Sequence, residues 1–319
     1  MIELNNNPAV YGHANFAQGQ DRSDPRNYEQ FKGTDYAPDH INEQALAFIK
    51  ASHDKPFFCY YPTVIPHVAL HVPDEDLKPY HDLGWKDPPF TKEGGYGYTP
   101  HFTPRAAYAA MITRMDRYVG NILSLLDELN IADNTLIIFS SDNGTTHLDK
   151  EVDFTFFKSV GELRGLEGSL YEGGVRVPTV VRWPGLVKPG SSSSFVSGFE
   201  DWMPTILEAV AAKTAAPDDT DGISLLPTLL GKTQPPRDFL YREFSGYGGQ
   251  QTIRVGDWKA VRQNLQKGKV KTELYNIASD ISEQQDVAAD NPKVVARLEE
   301  MMAEQHIPSD LFRLKAIDN

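Results

Sequence analysis

The sequence has one cysteine, Cys59, in 319 residues, so no intramolecular disulfide can form. Cationic residues are also in deficit: 31 Lys+Arg against 44 Asp+Glu leave a net charge of -13, which argues against a protein that tracks nucleic-acid phosphates. Long apolar runs are missing. Leu136 to Phe139 and Val177 to Trp183 are too short to cross a bilayer, so no membrane span is expected. The first residues carry neither a basic start nor an apolar core, so no signal peptide is expected in them. No GxSxG elbow, Walker lysine, GxGxxG or HExxH occurs, which disfavours serine-elbow hydrolases, nucleotide cradles and helical zinc sites. What remains is ordinary globular composition, 40% hydrophobic and 24% charged, without internal repeats.

Periodicity supplies an outline. A helix is predicted after Pro38, with Asp39 as its cap and Ile41, Ala45, Leu46 and Ile49 on one face. The aromatic run Phe57–Tyr61 reads as a buried strand. The stretch from Pro62 to Thr103 is too long for a routine connection and reads as a functional loop. Thr103-Pro104 opens a long helix to about Leu129. Thr135 to Gly144 then reads as a buried parallel strand ending in polar turn residues, where open α/β sheets place ligands. Asp201 to Lys213 reads as a helix. After about Pro235 the texture becomes strand and turn, closing in a helix from Pro292 to Gln305. The expected organisation is an α/β region over 1–234 and a small antiparallel α+β subdomain over 235–319.

Three segments could carry chemistry. Ser141-Asp142-Asn143-Gly144 follows the strand, and its carboxylate and amide oxygens suit calcium or magnesium, although Asp-Asn-Gly also forms turns on its own. His67 and His71 lie between Pro66 and Pro73, where an imidazole can donate to an anion but a zinc-binding helix is disfavoured. A structural role is the competing reading for both, as it is for His147. Leu163 to Pro178 holds Gly165, Gly168, Gly173 and Gly174 between Arg164 and Arg176, a weak hint of anion binding. Cys59 sits among aromatics and reads as an inert buried thiol.

In order, FFCYYPTVIPHVALHVP, TRMDRYVGNILSLLDELNIADNTLIIFSSDNG, LRGLEGSLYEGGVRVPTVVRWPG and the later segments through ELYNIASDISEQQDVA resemble the formylglycine-dependent (type I) sulfatases of the alkaline phosphatase superfamily. The resemblance covers the second half of that catalytic domain and its C-terminal subdomain. It implies an α/β/α sandwich with a mixed, mostly parallel sheet, and hydrolysis of a sulfate ester on a small molecule or sulfated glycan. It also implies calcium held in part by Asp142 and Asn143, a sulfate-contacting catalytic role for His67, and the periplasmic or secreted location common in the family. In that family a hydrated formylglycine attacks sulfur, while calcium and cations stabilise the sulfuryl oxygens.

Two departures bear on activity. No Cys/Ser-x-Pro-Ser-Arg segment, from which formylglycine is made, occurs here, and Cys59-Tyr60-Tyr61-Pro62 has the wrong spacing. Glu167 stands where the family usually has a sulfate-binding lysine. At about 4 Å and an effective dielectric near 20, that inversion changes the interaction by about 8 kcal/mol as an upper bound. The expectation is half of a calcium site and an isolated chain without turnover. The alternatives are a phosphodiesterase or phosphonate hydrolase of the same superfamily, and a non-catalytic relative that binds sulfated glycans.

Overall fold

The computed structural model describes residues 15–92, 98–214, 216–217, 219–268 and 270–318. The chain divides into two compact units, Met1–Thr135 with Leu148–Lys158, and Leu136–His147 with Ser159–Asn319.

The first unit is helical: α1 (Ala37–Ser52), α2 (Asp74–His81), α3 (Pro104–Glu128) and the single turn α4 (Phe154–Phe157). Both long helices start where proline fixes the backbone and needs no hydrogen-bond acceptor for an N–H. Small residues on α3, Ala106, Ala107 and Ala110, let Ile65, Leu70, Val72 and Leu77 pack closely around buried Met111. Asp39 does not cap α1. It lies in the first turn and reaches instead to Arg114 of α3, whose Nη2 donates to both carboxylate oxygens at 2.6 Å. The same guanidinium donates to Asp76 of α2 and, at 2.8 Å, to the Tyr118 hydroxyl. Burial works against its charge, but these partners outweigh burial and hold the guanidinium above its ordinary value. One cation therefore ties all three helices.

Two expectations change in this unit. The stretch read as one functional loop contains α2, which its sequence DEDLKPYH conceals with a proline and a single aliphatic residue. The expected strand Phe57–Tyr61 runs without a strand partner among the described residues. Its alternate side chains Phe58 and Tyr60 are 70% and 76% exposed, the period of a strand without the burial that would make one.

The second unit begins with β1 (Ile137–Ser140), half-buried and paired antiparallel with β2 (Thr179–Arg182) rather than the buried parallel strand expected over Thr135–Gly144, across a loop containing the turn α5 (Glu172–Val175). Helices α6 (Trp202–Ala209) and α7 (Leu226–Leu229) follow. A four-stranded antiparallel sheet then runs in order β3 (Leu240–Phe244), β4 (Gln250–Val255), β5 (Trp258–Gln263), β6 (Thr272–Asn276). Between β4 and β5 the Gly256–Asp257 hairpin turn requires a left-handed residue, and Gly256 supplies φ +58°. α8 (Pro292–Gln305) covers one sheet face, where Ile253, Ala260 and Leu274 meet Leu298 and Met302. Alternation sends Lys259, Val261 and Tyr275 to the other face, where the Gly-rich segment lies. The chain is thus α/β in class, with a small antiparallel sheet and one packed helix in its C-terminal part.

Candidate functional site

β1 delivers its polar end as a self-bonded turn. The Ser141 hydroxyl donates to the Asn143 carbonyl at 3.0 Å, the Asp142 carboxylate accepts the Asn143 N–H at 3.0 Å, and the Asn143 side-chain amide donates to the Gly144 carbonyl at 3.0 Å. Asp142 is exposed and Asn143 half-buried.

The Gly-rich segment packs backbone to backbone against this turn. Gly144 N–H donates to Gly174 O at 2.9 Å, and a Cβ at Gly144 would collide with the Gly173 carbonyl. Gly173 and Gly174 are equally constrained, by the carbonyls of Gly165 and Ser169. The glycines are there for close approach, since no side chain fits between the two segments.

Arg164 and Arg176 do not face an anion, as the spacing had hinted. The Arg164 guanidinium carbon sits over the Tyr171 ring at 3.8 Å, and the side chain donates to the Tyr275 hydroxyl at 2.9 Å and the Glu283 carbonyl at 2.8 Å. Arg176 binds Glu172 at 2.5 Å. Glu172 and Glu283 are both buried and share Lys259, whose Nζ lies 2.9 Å from an oxygen of each. The Glu283 carboxylate also accepts the Glu172 N–H at 2.6 Å. Burial raises both carboxyls, but Lys259 and Arg176 pull Glu172 below its usual range, while Glu283 stays above its own. Gln250 adds two bonds, accepting from Leu170 N–H at 3.1 Å and donating to Gly168 O at 2.6 Å. The antiparallel sheet therefore holds the segment that forms one wall of the turn.

Glu167 is fastened beside the turn by its N–H, which donates to Thr145 O at 2.7 Å. Its carboxylate lies 3.6 Å from His147 Nδ1, and the other ring nitrogen is 3.3 Å from the Tyr247 hydroxyl. The Tyr247 ring meets the His147 ring edge to face at 5.3 Å and lies over Gly168, leaving no room for a side chain there. The structure thus joins Asp142, Asn143, His147, Glu167 and Tyr247 in one unit. Sequence reasoning noted His147, three residues past Gly144, and left it between a functional and a structural role. It had no signal for Tyr247, which reaches the group from the β3–β4 connection.

His67 belongs to the first unit. It is exposed, its Nδ1 lies 2.5 Å from Val68 O, and its ring packs edge to face on Tyr98 at 5.7 Å. His71 is no ligand-facing group: it is buried, with its ring 5.6 Å from that of buried His101. Burial pushes His71 down to about 4 and, with the neighbouring His71 adding to it, His101 down to about 3. The unfolded chain therefore binds more protons than the folded one below pH 6.5, and stability falls as pH falls. Acidification from pH 7.5 to pH 5 should cost about 2 kcal/mol per histidine. Urea midpoints at the two pH values check this, with the double variant His71→Gln/His101→Gln expected to flatten the dependence. Cys59 is half-buried rather than fully buried, and burial raises its thiol, which keeps it unreactive.

The donors at the β1 turn are of the right kind for calcium, being hard oxygens, but Asp142 and Asn143 are two where calcium takes six to eight. Among the described residues no three His, Cys, Asp or Glu side chains are arranged to hold a metal. These residues fit part of a calcium site and do not complete one.

Comparison with known proteins places these elements in context. A family model described as Sulfatase matches residues 3–212, and one described as N-sulphoglucosamine sulphohydrolase, C-terminal, matches residues 167–307. An N-acetylgalactosamine-6-O-sulfatase of Bacteroides thetaiotaomicron is 29% identical over 83% of this chain and 50% of its own length. The human N-acetylgalactosamine-6-sulfatase is 30% identical over 71% of this chain and 39% of its own. The crystal structure of Ps i-CgsB, also solved in complex with k-i-k-neocarrahexaose, superposes with a TM-score of 0.69 at 30% identity, over 89% of this chain and 57% of that one. The chain spans about half the length of the curated relatives it matches.

Proposed function

This chain belongs to the sulfatase family, and from that premise we propose that it carries the metal-turn and sulfate-facing part of a sulfuric ester hydrolase acting on a sulfated glycan. The observation that carries the reading is the close packing of the Asp142–Gly144 turn against Gly173–Gly174, with Glu167 fastened beside it. This arrangement places two oxygen ligands and one charged side chain on segments that touch backbone to backbone.

In this reading Asp142 and Asn143 would supply two of the oxygens that hold a calcium ion, which when bound would draw charge from the sulfuryl oxygens. For His67, which belongs to the first unit, the role of proton donor to an ester oxygen rests on the sequence resemblance alone. No step is assigned to formylglycine, because the sequence holds no segment from which it is made. Glu167 opposes a sulfate, and its nearest cationic candidate, His147, is a neighbour rather than a replacement for a lysine. The charge inversion also favours a second reading, a relative that retains glycan binding without turnover.

The isolated chain should show no turnover of 4-nitrophenyl sulfate with calcium. Hydrolysis that disappears in His67→Ala would overturn that expectation. Glu167→Lys should tighten binding of N-acetylgalactosamine 6-sulfate about tenfold or more at low salt, about a quarter or less of the Coulomb bound. Titration calorimetry reads the change, and equal affinities for the two proteins would remove Glu167 from the sulfate site.

A further inference from the structure

The connection between β3 and β4 holds an aromatic residue where the backbone favours none. Gly249 N–H donates to Gly246 O at 3.0 Å, closing a turn whose two central residues, Tyr247 and Gly248, have φ +49° and +92°. Turns with both central residues at positive φ are filled mostly by Gly, Asn and Asp, because a larger side chain there crowds the backbone. A bulky ring at the first of them is a conformational outlier. Burial offsets little of that strain, since Tyr247 is 62% exposed. Outliers of this kind concentrate at ligand sites, where a side chain must be held in one place.

What the turn achieves is placement. The Tyr247 ring lies over Gly168, where a Cβ would come within 2.6 Å of Cε2, and it meets the His147 ring edge to face at 5.3 Å. Its hydroxyl is 3.3 Å from His147 Nε2, which fixes the ring from a second side. The ring of Phe244 stands alongside, 5.8 Å away and inclined by 36°. It lies against Gly246, where a Cβ would be 2.7 Å from its Cζ. Phe244 is exposed as well. Two glycines therefore let two rings lie close to the backbone, and both rings keep surface turned outward. Glu167 is the residue before Gly168, so this aromatic surface adjoins the Glu167–His147 pair.

An exposed aromatic surface bordered by hydrogen-bonding groups suits a sugar. The C–H face of a pyranose is slightly positive and meets the negative faces of the rings, while its hydroxyls turn to the polar rim. Free sulfate has no such face and gains nothing from the rings. We propose that the Phe244–Tyr247 pair is a stacking platform for one pyranose ring of a glycan, and that Tyr247 makes the neighbouring Asp142–Glu167 group selective for a sugar over free sulfate. The proposal rests on the glycan reading above for its choice of ligand, and on neither calcium nor turnover.

The test uses the full chain with N-acetylgalactosamine 6-sulfate, N-acetylgalactosamine and inorganic sulfate, with sugar affinities read by ligand proton NMR and sulfate affinity by titration calorimetry. The sulfated sugar should bind the parent. Tyr247→Asn, whose side chain the turn accepts readily, should weaken that binding about tenfold and leave the affinity for inorganic sulfate unchanged. Tyr247→Leu, apolar but without a π face, should weaken it as much, and Tyr247→Phe should stay within about twofold of the parent. The urea midpoint of Tyr247→Asn should be no lower than that of the parent, which a ring serving only as a structural prop would not allow. No binding of the sulfated sugar by the parent, no loss in Tyr247→Asn, an equal loss for inorganic sulfate, or a fallen midpoint would overturn the proposal. If N-acetylgalactosamine binds as tightly as its sulfate and Tyr247→Asn weakens both, the platform stands and the sulfate reading falls. If Glu167→Lys alters binding of the sulfated sugar and Tyr247→Asn does not, the sulfate reading stands and the platform falls.

Discussion

Lys259→Met should destabilise the second unit by about 3–5 kcal/mol, measured as the urea unfolding free energy at neutral pH. Methionine keeps most of the volume of the side chain and removes only its charge and its donors. What it leaves is two buried carboxylates, Glu172 and Glu283, that no longer share a cation between them. Arg176 still reaches Glu172, so Glu283, fully buried and already raised by burial, bears most of the change. A carboxyl raised in the folded state binds protons more readily than in the unfolded chain. The deficit of the variant should therefore shrink as pH falls through the range where Glu283 protonates. Adding Glu283→Gln to Lys259→Met should recover part of the loss, because the amide carries no charge and still offers an acceptor to the Glu172 N–H. A loss below about 1 kcal/mol, or no recovery in the double variant, would show that the cluster is not the anchor its geometry indicates. The functional consequence is local. Glu172 lies within the Gly-rich segment, so loosening it should also speed protease cleavage between Gly161 and Gly168.

Arg114→Met should have a comparable effect on the helical unit, about 3 kcal/mol or more. Asp76 is buried and would lose its closest buried cation, keeping only Arg117, whose side chain is half exposed. Asp39 would lose its two-pronged partner altogether. Arg114→Lys is the informative companion. An ammonium cannot bond both oxygens of Asp39 while reaching Asp76 and the Tyr118 hydroxyl, so the lysine variant should recover less than half of the loss. Thermal and urea unfolding of the two variants measure this, and a lysine variant as stable as the parent would show that charge alone matters there.

These two lysine and arginine positions also mark where sequence reading stops. Helices α1, α3 and α8 were legible because proline at the first turn and apolar residues every three to four positions are local properties. The antiparallel sheet was legible for the same reason, since Gly256 and the flanking alternation signal a hairpin within a dozen residues. α2 was hidden: with Pro79 inside it and only Leu77 as an aliphatic residue, DEDLKPYH has little helical pattern of its own, and its Asp76 is fixed by an arginine 38 residues away. Phe57–Tyr61 erred in the opposite direction, because an aromatic run states a preference for pairing and cannot supply the partner strand.

The sequence by itself determined the family, helices α1, α3 and α8, the hairpins and the identity of the donors at the β1 turn, because motif order and short-range periodicity are written in neighbouring residues. Only the tertiary structure decided which charges are available to a ligand. Arg164 and Arg176 look like anion-binding cations until Tyr275, Glu283 and Glu172 are seen to occupy them. Glu167 is a charge inversion in either view, but its neighbours His147 and Tyr247 come from two different loops. The physical reason is common to all of these. The charge of a side chain is a property of its residue type, whereas its freedom to act depends on partners that folding brings from far along the chain.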